Sequence, residues 1–227
     1  MACREKKIMS QKIKVLLVDD HPLVRDGLVN LINQEADLQI CGEAANEPQA
    51  LEIIRTAQPH VAIVDISLEN GSGIELIKSI KAMFPDVTVL VLSMHDESLY
   101  AERALRAGAR GYIMKREAAK KVIQGIRSVL AGQLCVSDKI AALMAEKFVE
   151  GRTAATASPI EQLSNRELEV FQLLGLGHNT RQISDHLHIG FKTVQAYCAR
   201  IKEKLKLANA TELLREAIRW QESPQAK

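Results

Sequence analysis

The 227-residue chain has no CxxC pair. Its four cysteines, Cys3, Cys41, Cys135 and Cys198, lie far apart, which excludes a disulfide framework and a cysteine zinc site and leaves them as reduced thiols. No uninterrupted apolar run approaches the roughly 20 residues of a membrane span, and the start MACREKKIMSQKIK is charged rather than apolar. The expectation is a soluble, cytoplasmic protein with no membrane partner. Neither G-x-G-x-x-G nor G-x-x-x-x-G-K-[ST] follows the first strand-like run, so nucleotide-cofactor enzymes are disfavoured. Charge of one sign is also missing: 30 Lys and Arg stand against 28 Asp and Glu, a net of +2, and any basic surface must be local. The six histidines show no metal-ligand spacing and read as structural.

What is present is an alternation. From residue 13, short β-branched or apolar runs (KVLLVDD at 14–20, LQICGEA at 38–44, HVAIVDI at 60–66, TVLVLSM at 88–94, GYIMK at 111–115) alternate with segments of helical spacing. Continuous apolar strands separated by helices imply a parallel sheet covered on both faces, and five such units make a doubly wound α/β domain. After residue 132 the pattern changes. SDKIAALMAEKFVEG suggests one more helix, RTAATASP at 152–159 reads as linker, and 160–222 reads as a small all-α domain. It opens with Ser164 as N-cap and Glu167 three residues on, a capping box. The division is a tail at 1–12, the α/β domain at 13–133, a helix-bearing linker at 134–159, the helical domain at 160–222 and a tail at 223–227.

The strands of a parallel sheet end at one edge, where such folds bind ligands. Those ends carry Asp19 and Asp20, then Asp65, Ser93 and Lys115. Adjacent carboxylates at a partly desolvated edge repel and call for a cation. Magnesium takes hard oxygen ligands, and a carboxylate beside it is a competent nucleophile toward phosphorus. An ammonium can pair with the phosphoryl group, and a hydroxyl can donate to it.

VLLVDDHPLVRDGL, VAIVDISLENGSGIELI, VLSMH and AGARGYIMK together resemble the flavodoxin-like receiver domain of two-component response regulators, over about residues 13 to 133. The resemblance implies Asp65 as phosphoacceptor, with Asp19, Asp20, Asp65 and the Ser67 backbone carbonyl holding Mg2+. It implies Ser93 as switch hydroxyl, Tyr112 as switch aromatic, Lys115 as phosphoryl partner, and a sensor histidine kinase as donor. The loop Glu69-Asn70-Gly71-Ser72-Gly73 departs from the usual pattern of a proline and a bulky residue before glycine, and its extra glycine predicts a looser loop.

In the second domain, TRQISDHLHIGFKTVQAYCARIKEKLKL reads as a short helix, a tight turn at His188-Ile189-Gly190 and a longer helix. Val194, Cys198, Ile201 and Leu205 form one apolar stripe that packs on Ile183, Leu187 and Ile189. Residues 178–206 carry six basic and two acidic side chains, a local +4. Two helices joined by a tight turn, the second with basic ends, form the geometry that enters the major groove. Lys192, Arg200, Lys202 and Lys204 suit phosphates, with Thr193 beside them, and Gln195 suits base edges. Ala196 and Ala199 permit close approach. LSNRELEVFQLL and TVQAYCARIKEKL resemble the LuxR-type helix-turn-helix domain, completing a likeness to NarL/FixJ-type regulators. Gly190 stands where that family has serine, removing a cap and a phosphate donor. TELLREAIRW sets Leu213, Leu214, Ala217 and Ile218 on one side, and the resemblance implies a homodimer on paired half-sites of double-stranded DNA, with RNA polymerase as a further contact.

The reading is a phosphorylation-controlled transcription regulator whose only chemistry is its own aspartyl phosphorylation and dephosphorylation. Two alternatives remain: a regulator acting by protein contacts without phosphate, and a magnesium-dependent phosphatase with an aspartyl intermediate. The adjacent acids lack the DxD spacing of the latter.

Overall fold

A computed structural model describes residues 12–68, 71–149 and 159–222. Strands β1 (Ile13–Val18), β2 (Leu38–Ala44), β3 (Val61–Val64), β6 (Thr88–Ser93) and β7 (Gly111–Met114) form one parallel sheet in the order β2-β1-β3-β6-β7. The expected five-stranded doubly wound sheet is present. A two-stranded antiparallel hairpin, β4 (Ser67–Leu68) and β5 (Gly71–Ser72), is inserted after β3. Helices α1 (Pro22–Asn33), α2 (Glu47–Ala57), α3 (Gly73–Met83), α4 (Glu97–Ala107) and α5 (Ala118–Leu130) cover the sheet.

Alternation along each strand explains why the runs are apolar throughout. Leu16, Val18, Ala62, Val64, Val89 and Val91 face one buried cluster, while Val15, Leu17, Val61, Ile63, Leu90 and Leu92 face the other. Successive strand side chains point to opposite faces, so a sheet covered twice needs both residues of each pair to be apolar. At β1 the fully buried Val15, Leu16, Leu17 and Val18 satisfy this.

The sheet edge beyond β7 is not left bare. Cys135 forms a parallel bridge with Gly111: the Tyr112 amide donates to the Cys135 carbonyl at 2.7 Å, and the Cys135 amide donates to Arg110 at 3.0 Å. The chain then enters α6 (Asp138–Val149), the helix expected at the start of the linker. Helix α6 lies on α4 through buried Ile140, a Ser137–Glu97 hydrogen bond of 2.8 Å and a Lys147–Glu102 ion pair of 2.5 Å. Most of RTAATASP, and both tails apart from Lys12, lie outside the described residues.

The C-terminal part is all helix, as expected: α7 (Asn165–Gly175), α8 (Thr180–His186), α9 (Phe191–Lys204) and α10 (Ala210–Glu222). The Ser164–Glu167 capping box forms in full, and Asn179 with Gln182 makes a second one at α8. Gly190 caps α9 without a side-chain bond, as its missing hydroxyl requires. His188 takes the left-handed conformation of the turn, at φ +52°. Leu168, Phe171, Ala217 and Trp220 continue the buried cluster that lies beneath α3 and α4.

Candidate functional site

The C-terminal ends of β1, β3 and β7 converge as the topology requires. Asp65 follows β3, its amide bonded to the Val18 carbonyl at 2.8 Å, and so it lies beside Asp19. Lys115 follows β7 and places its ammonium 2.6 Å from Asp19 Oδ2 and 2.7 Å from Asp65 Oδ2. All three side chains are nearly sealed from solvent. Burial pushes the Asp65 carboxyl up to about 6; Lys115 opposes the rise and Asp19 adds to it. Burial alone would lower the Lys115 ammonium, but Asp65 and Asp19 outweigh it and hold it above lysine's ordinary value.

The carboxylates of Asp19, Asp20 and Asp65 and the ring of His21 each offer a ligand atom, all within 4.8 Å of one another. His21 Nδ1 lies 2.6 Å from Asp20 Oδ1, and its amide donates to Asp19 Oδ1 at 2.9 Å. Asp65 Oδ1 is buried with no hydrogen-bond partner among the described residues. This is a hard-oxygen donor set with an acceptor left over, and it fits a small divalent cation. Ser67 opens the adjacent hairpin with its backbone near the Asp65 carboxylate.

Ser93 is fully buried at the end of β6, and its hydroxyl accepts the His95 amide at 3.2 Å. Tyr112 is also buried, and its hydroxyl donates to the His95 carbonyl at 2.9 Å. The histidines therefore need correction: His21 joins the carboxylates, and His95 is a hub rather than a bystander. The His95 ring meets Ser67 Oγ at 2.6 Å and lies 4.5 Å from the Tyr100 ring. Burial, with Arg166 and Lys115 adding to it, pushes the His95 imidazole down to about 4. Its place two residues past the end of β6 is the signal in the sequence that marks it.

The expected looseness of the loop after Asp65 is also corrected at one end. A Cβ on Gly73 would lie 1.9 Å from the Asp65 carbonyl oxygen, and the Gly73 amide bonds Ile66 at 2.7 Å. This glycine permits close approach rather than slack. Glu69 and Asn70 lie outside the described residues.

On α9, Lys192, Thr193, Gln195, Ala196, Ala199 and Arg200 are exposed, while Val194 and Ile201 are buried and Cys198 and Leu205 partly so. Lys202 is half-buried. Lys204 departs from its expected role: its ammonium binds Glu167 Oε2 at 2.6 Å and the Gln162 carbonyl at 3.2 Å. Glu167 is buried, so Lys204 neutralises a core charge in place of a phosphate. Lys204→Met is expected to destabilise the helical domain by about 2 kcal/mol, because a buried acid is left unpaired, and to leave the salt dependence of DNA binding unchanged. Thermal melts and salt titrations check both halves. The α10 stripe divides as well: Leu213 and Ala217 are buried, while Leu214 and Ile218 remain 41% and 39% exposed.

Residues 15–127 match the response regulator receiver domain, and residues 161–217 match the bacterial regulatory proteins of the luxR family. The oxygen regulatory protein NreC of Staphylococcus carnosus (strain TM300) is 33% identical, over 91% of this chain and 97% of its own. This chain belongs to the NarL/FixJ-type two-component response regulators. The regulator is accordingly a DNA-binding regulator of transcription. A LuxR-family two-component response regulator from Aurantimonas sp. SI85-9A1 is similar at 33% identity and TM-score 0.57, over 61% of the regulator and 99% of that chain. RcsB from Salmonella enterica serovar Typhimurium, solved bound to promoter P1flhDC with phosphomimetic BeF3-, matches at 25% identity and TM-score 0.59, over 91% and 98% of the two chains. No helix among the described residues is long and apolar enough to cross a membrane.

Proposed function

We propose that the regulator accepts a phosphoryl group on Asp65 from a sensor histidine kinase and that this controls promoter binding. One observation carries the reading: Asp65 Oδ2 is held by Lys115 while the buried Oδ1 finds no donor among the described residues. An oriented carboxylate with a free lone pair is poised for attack. Oδ1 forms the new O–P bond as the kinase's N–P bond breaks, and the electron pair leaves on the imidazole nitrogen. Lys115 shifts from Asp65 to a phosphoryl oxygen, and the Ser93 hydroxyl donates to another. Tyr112 is already turned inward, so Ser93 is the switch residue left to move.

Asp19, Asp20, Asp65 and the Ser67 carbonyl would hold Mg2+, which when bound supplies charge neutralisation for the phosphoryl oxygens. His21, at the outer rim of the cluster, adds a contact to the acids. The division into a receiver at 13–133 and a DNA-binding domain at 160–222, and a cytoplasmic location, complete this reading. Acetyl phosphate with Mg2+, followed by intact mass measurement, tests it. One phosphoryl group per chain is expected, and none after EDTA treatment.

For output, Lys192, Arg200 and Lys202 meet phosphates and Gln195 reads base edges, with Thr193, Ala196 and Ala199 on the same open face. The exposed Leu214 and Ile218 supply a homodimer contact on paired half-sites, and RNA polymerase is a further partner. The likeness to RcsB, a protein solved bound to promoter P1flhDC, supports DNA binding. Lys192→Ala should weaken binding to every duplex alike and reduce the slope of log K against log salt by about one. Gln195→Ala should instead lose about 1–3 kcal/mol of discrimination at one base pair. Anisotropy titrations at several salt concentrations separate the two, and random duplexes yielding no enriched sequence would refute sequence-specific binding.

A further inference from the structure

Helix α9 presents an apolar ring to solvent at its first position. Phe191 is 45% exposed, and among the described side chains every other Phe, Tyr and Trp is buried or half-buried. The ring belongs to neither buried cluster, so it adds little to the core of the helical domain. Nothing shields it from the N-terminal side. Gly190 caps α9 without a side chain, and a Cβ there would meet, apart from its chain neighbours, only Thr193 Oγ1 at 3.6 Å. Helix side chains lean toward the N-terminus, so the phenyl leads α9 into open space.

Its place on the helix is equally specific. Phe191 precedes Gln195 by one turn, and at 100° per residue the two lie about 40° apart around the axis. Lys192 and Thr193, both exposed, follow it directly. The leading turn of the second helix in a helix-turn-helix is the part that approaches base edges. In the major groove of unmodified DNA only thymine offers a methyl group, and phenylalanine is among the side chains that suit it. Water leaves both apolar surfaces when they meet.

We infer that Phe191 is a base-reading residue of the regulator, its ring covering the 5-methyl group of a thymine close to the base pair read by Gln195. The inference rests on the reading of α9 as the DNA-facing helix. One helical turn rises about 5.4 Å and one base-pair step about 3.4 Å, so the methyl lies within two steps of that pair. A phenyl ring displaces no counterion and adds nothing to the salt dependence of binding. Gly190 and Phe191 together therefore exchange one kind of contact for another. A hydroxyl at 190 would hold a phosphate whatever the sequence, whereas the ring at 191 holds one base.

The test uses the full chain and fluorescent duplexes of its enriched sequence, with each thymine replaced in turn by uracil. Uracil keeps the base pair and removes only the methyl. At one position within two steps of the pair that Gln195→Ala relaxes, wild type should bind uracil about fourfold more weakly than thymine, the worth of one buried methyl. Phe191→Ala should bind the thymine duplex about tenfold more weakly and show no thymine preference at that position, with its salt slope and melting temperature unchanged. Phe191→Leu, still apolar, should keep about twofold of the preference or more. Wild type indifferent to uracil at that position would overturn the inference. So would Phe191→Ala with the wild-type uracil profile: weaker binding to every duplex alike would mark a structural role, and unchanged binding would assign the ring to a protein partner. Both results leave the base pair of Gln195 standing. No sequence enriched from random duplexes would sink base reading by α9, and this inference with it.

Discussion

Asp65→Asn is expected to accept no phosphoryl group from acetyl phosphate, where wild type accepts one. The amide keeps the shape of the side chain but presents no anionic lone pair to phosphorus, and nothing else at the site replaces it. Asp19 is tied by Lys115 and His21, and Asp20 lies further toward solvent. A second readout separates this from unfolding. Burial holds the Asp65 carboxyl at about 6, against an ordinary 3.8. Between those pH values the folded state binds more protons than the unfolded state, so this group's contribution to stability falls as pH rises from about 4 to 6. In EDTA at pH 7, Asp65→Asn should therefore be more stable than wild type by about 1–2 kcal/mol, allowing for the partner that Lys115 loses. The gap should close near pH 4. Paired thermal melts across that range check it; a variant less stable at pH 7 than at pH 4, relative to wild type, would contradict the burial account.

Gly73→Ala is the substitution with the largest expected effect on folding. The added carbon would lie 1.9 Å from the Asp65 carbonyl oxygen and 2.8 Å from the Ile66 Cα. Both obstacles are backbone, so no side-chain rotation relieves the clash. The acceptor loop or the start of α3 must shift, at about 3 kcal/mol or more. That corresponds to a melting temperature lower by roughly 6–12 °C for a chain of this size. Because the displaced carbonyl belongs to Asp65, phosphoryl uptake should drop with stability. Gly27→Ala, where a Cβ meets nothing within 4 Å, is the matched control and should cause neither effect.

The sheet was readable because both residues of each strand pair had to be apolar, and that signal is local. The carboxylate and lysine cluster followed from topology alone: parallel strands must end together, so Asp19, Asp65 and Lys115 had to meet. The missing parts depended on distance across the fold. His95 shows no metal-ligand spacing, and its role comes from Ser67, 28 residues away, and from Tyr112. Lys204 reads as one more basic residue on a basic helix until the buried Glu167 approaches from α7. Gly73 was misread because flexibility and close approach favour the same residue, and only the Asp65 carbonyl tells them apart. Arg166 reads as the opening of a helix, and nothing near it in the sequence marks the hairpin carbonyls of Leu68 and Gly71 that it reaches.

The pairing of Cys135 with Gly111 has a mechanical consequence. The first residues leaving the sheet domain are hydrogen-bonded directly to the backbone on either side of Gly111, including that of Tyr112. The connector thus starts as a rigid extension of the fifth strand instead of a slack tether. A shift of the backbone at Tyr112 acts directly on Cys135, two residues before Ser137 and the start of α6. Leverage toward the second half of the chain begins at the strand itself.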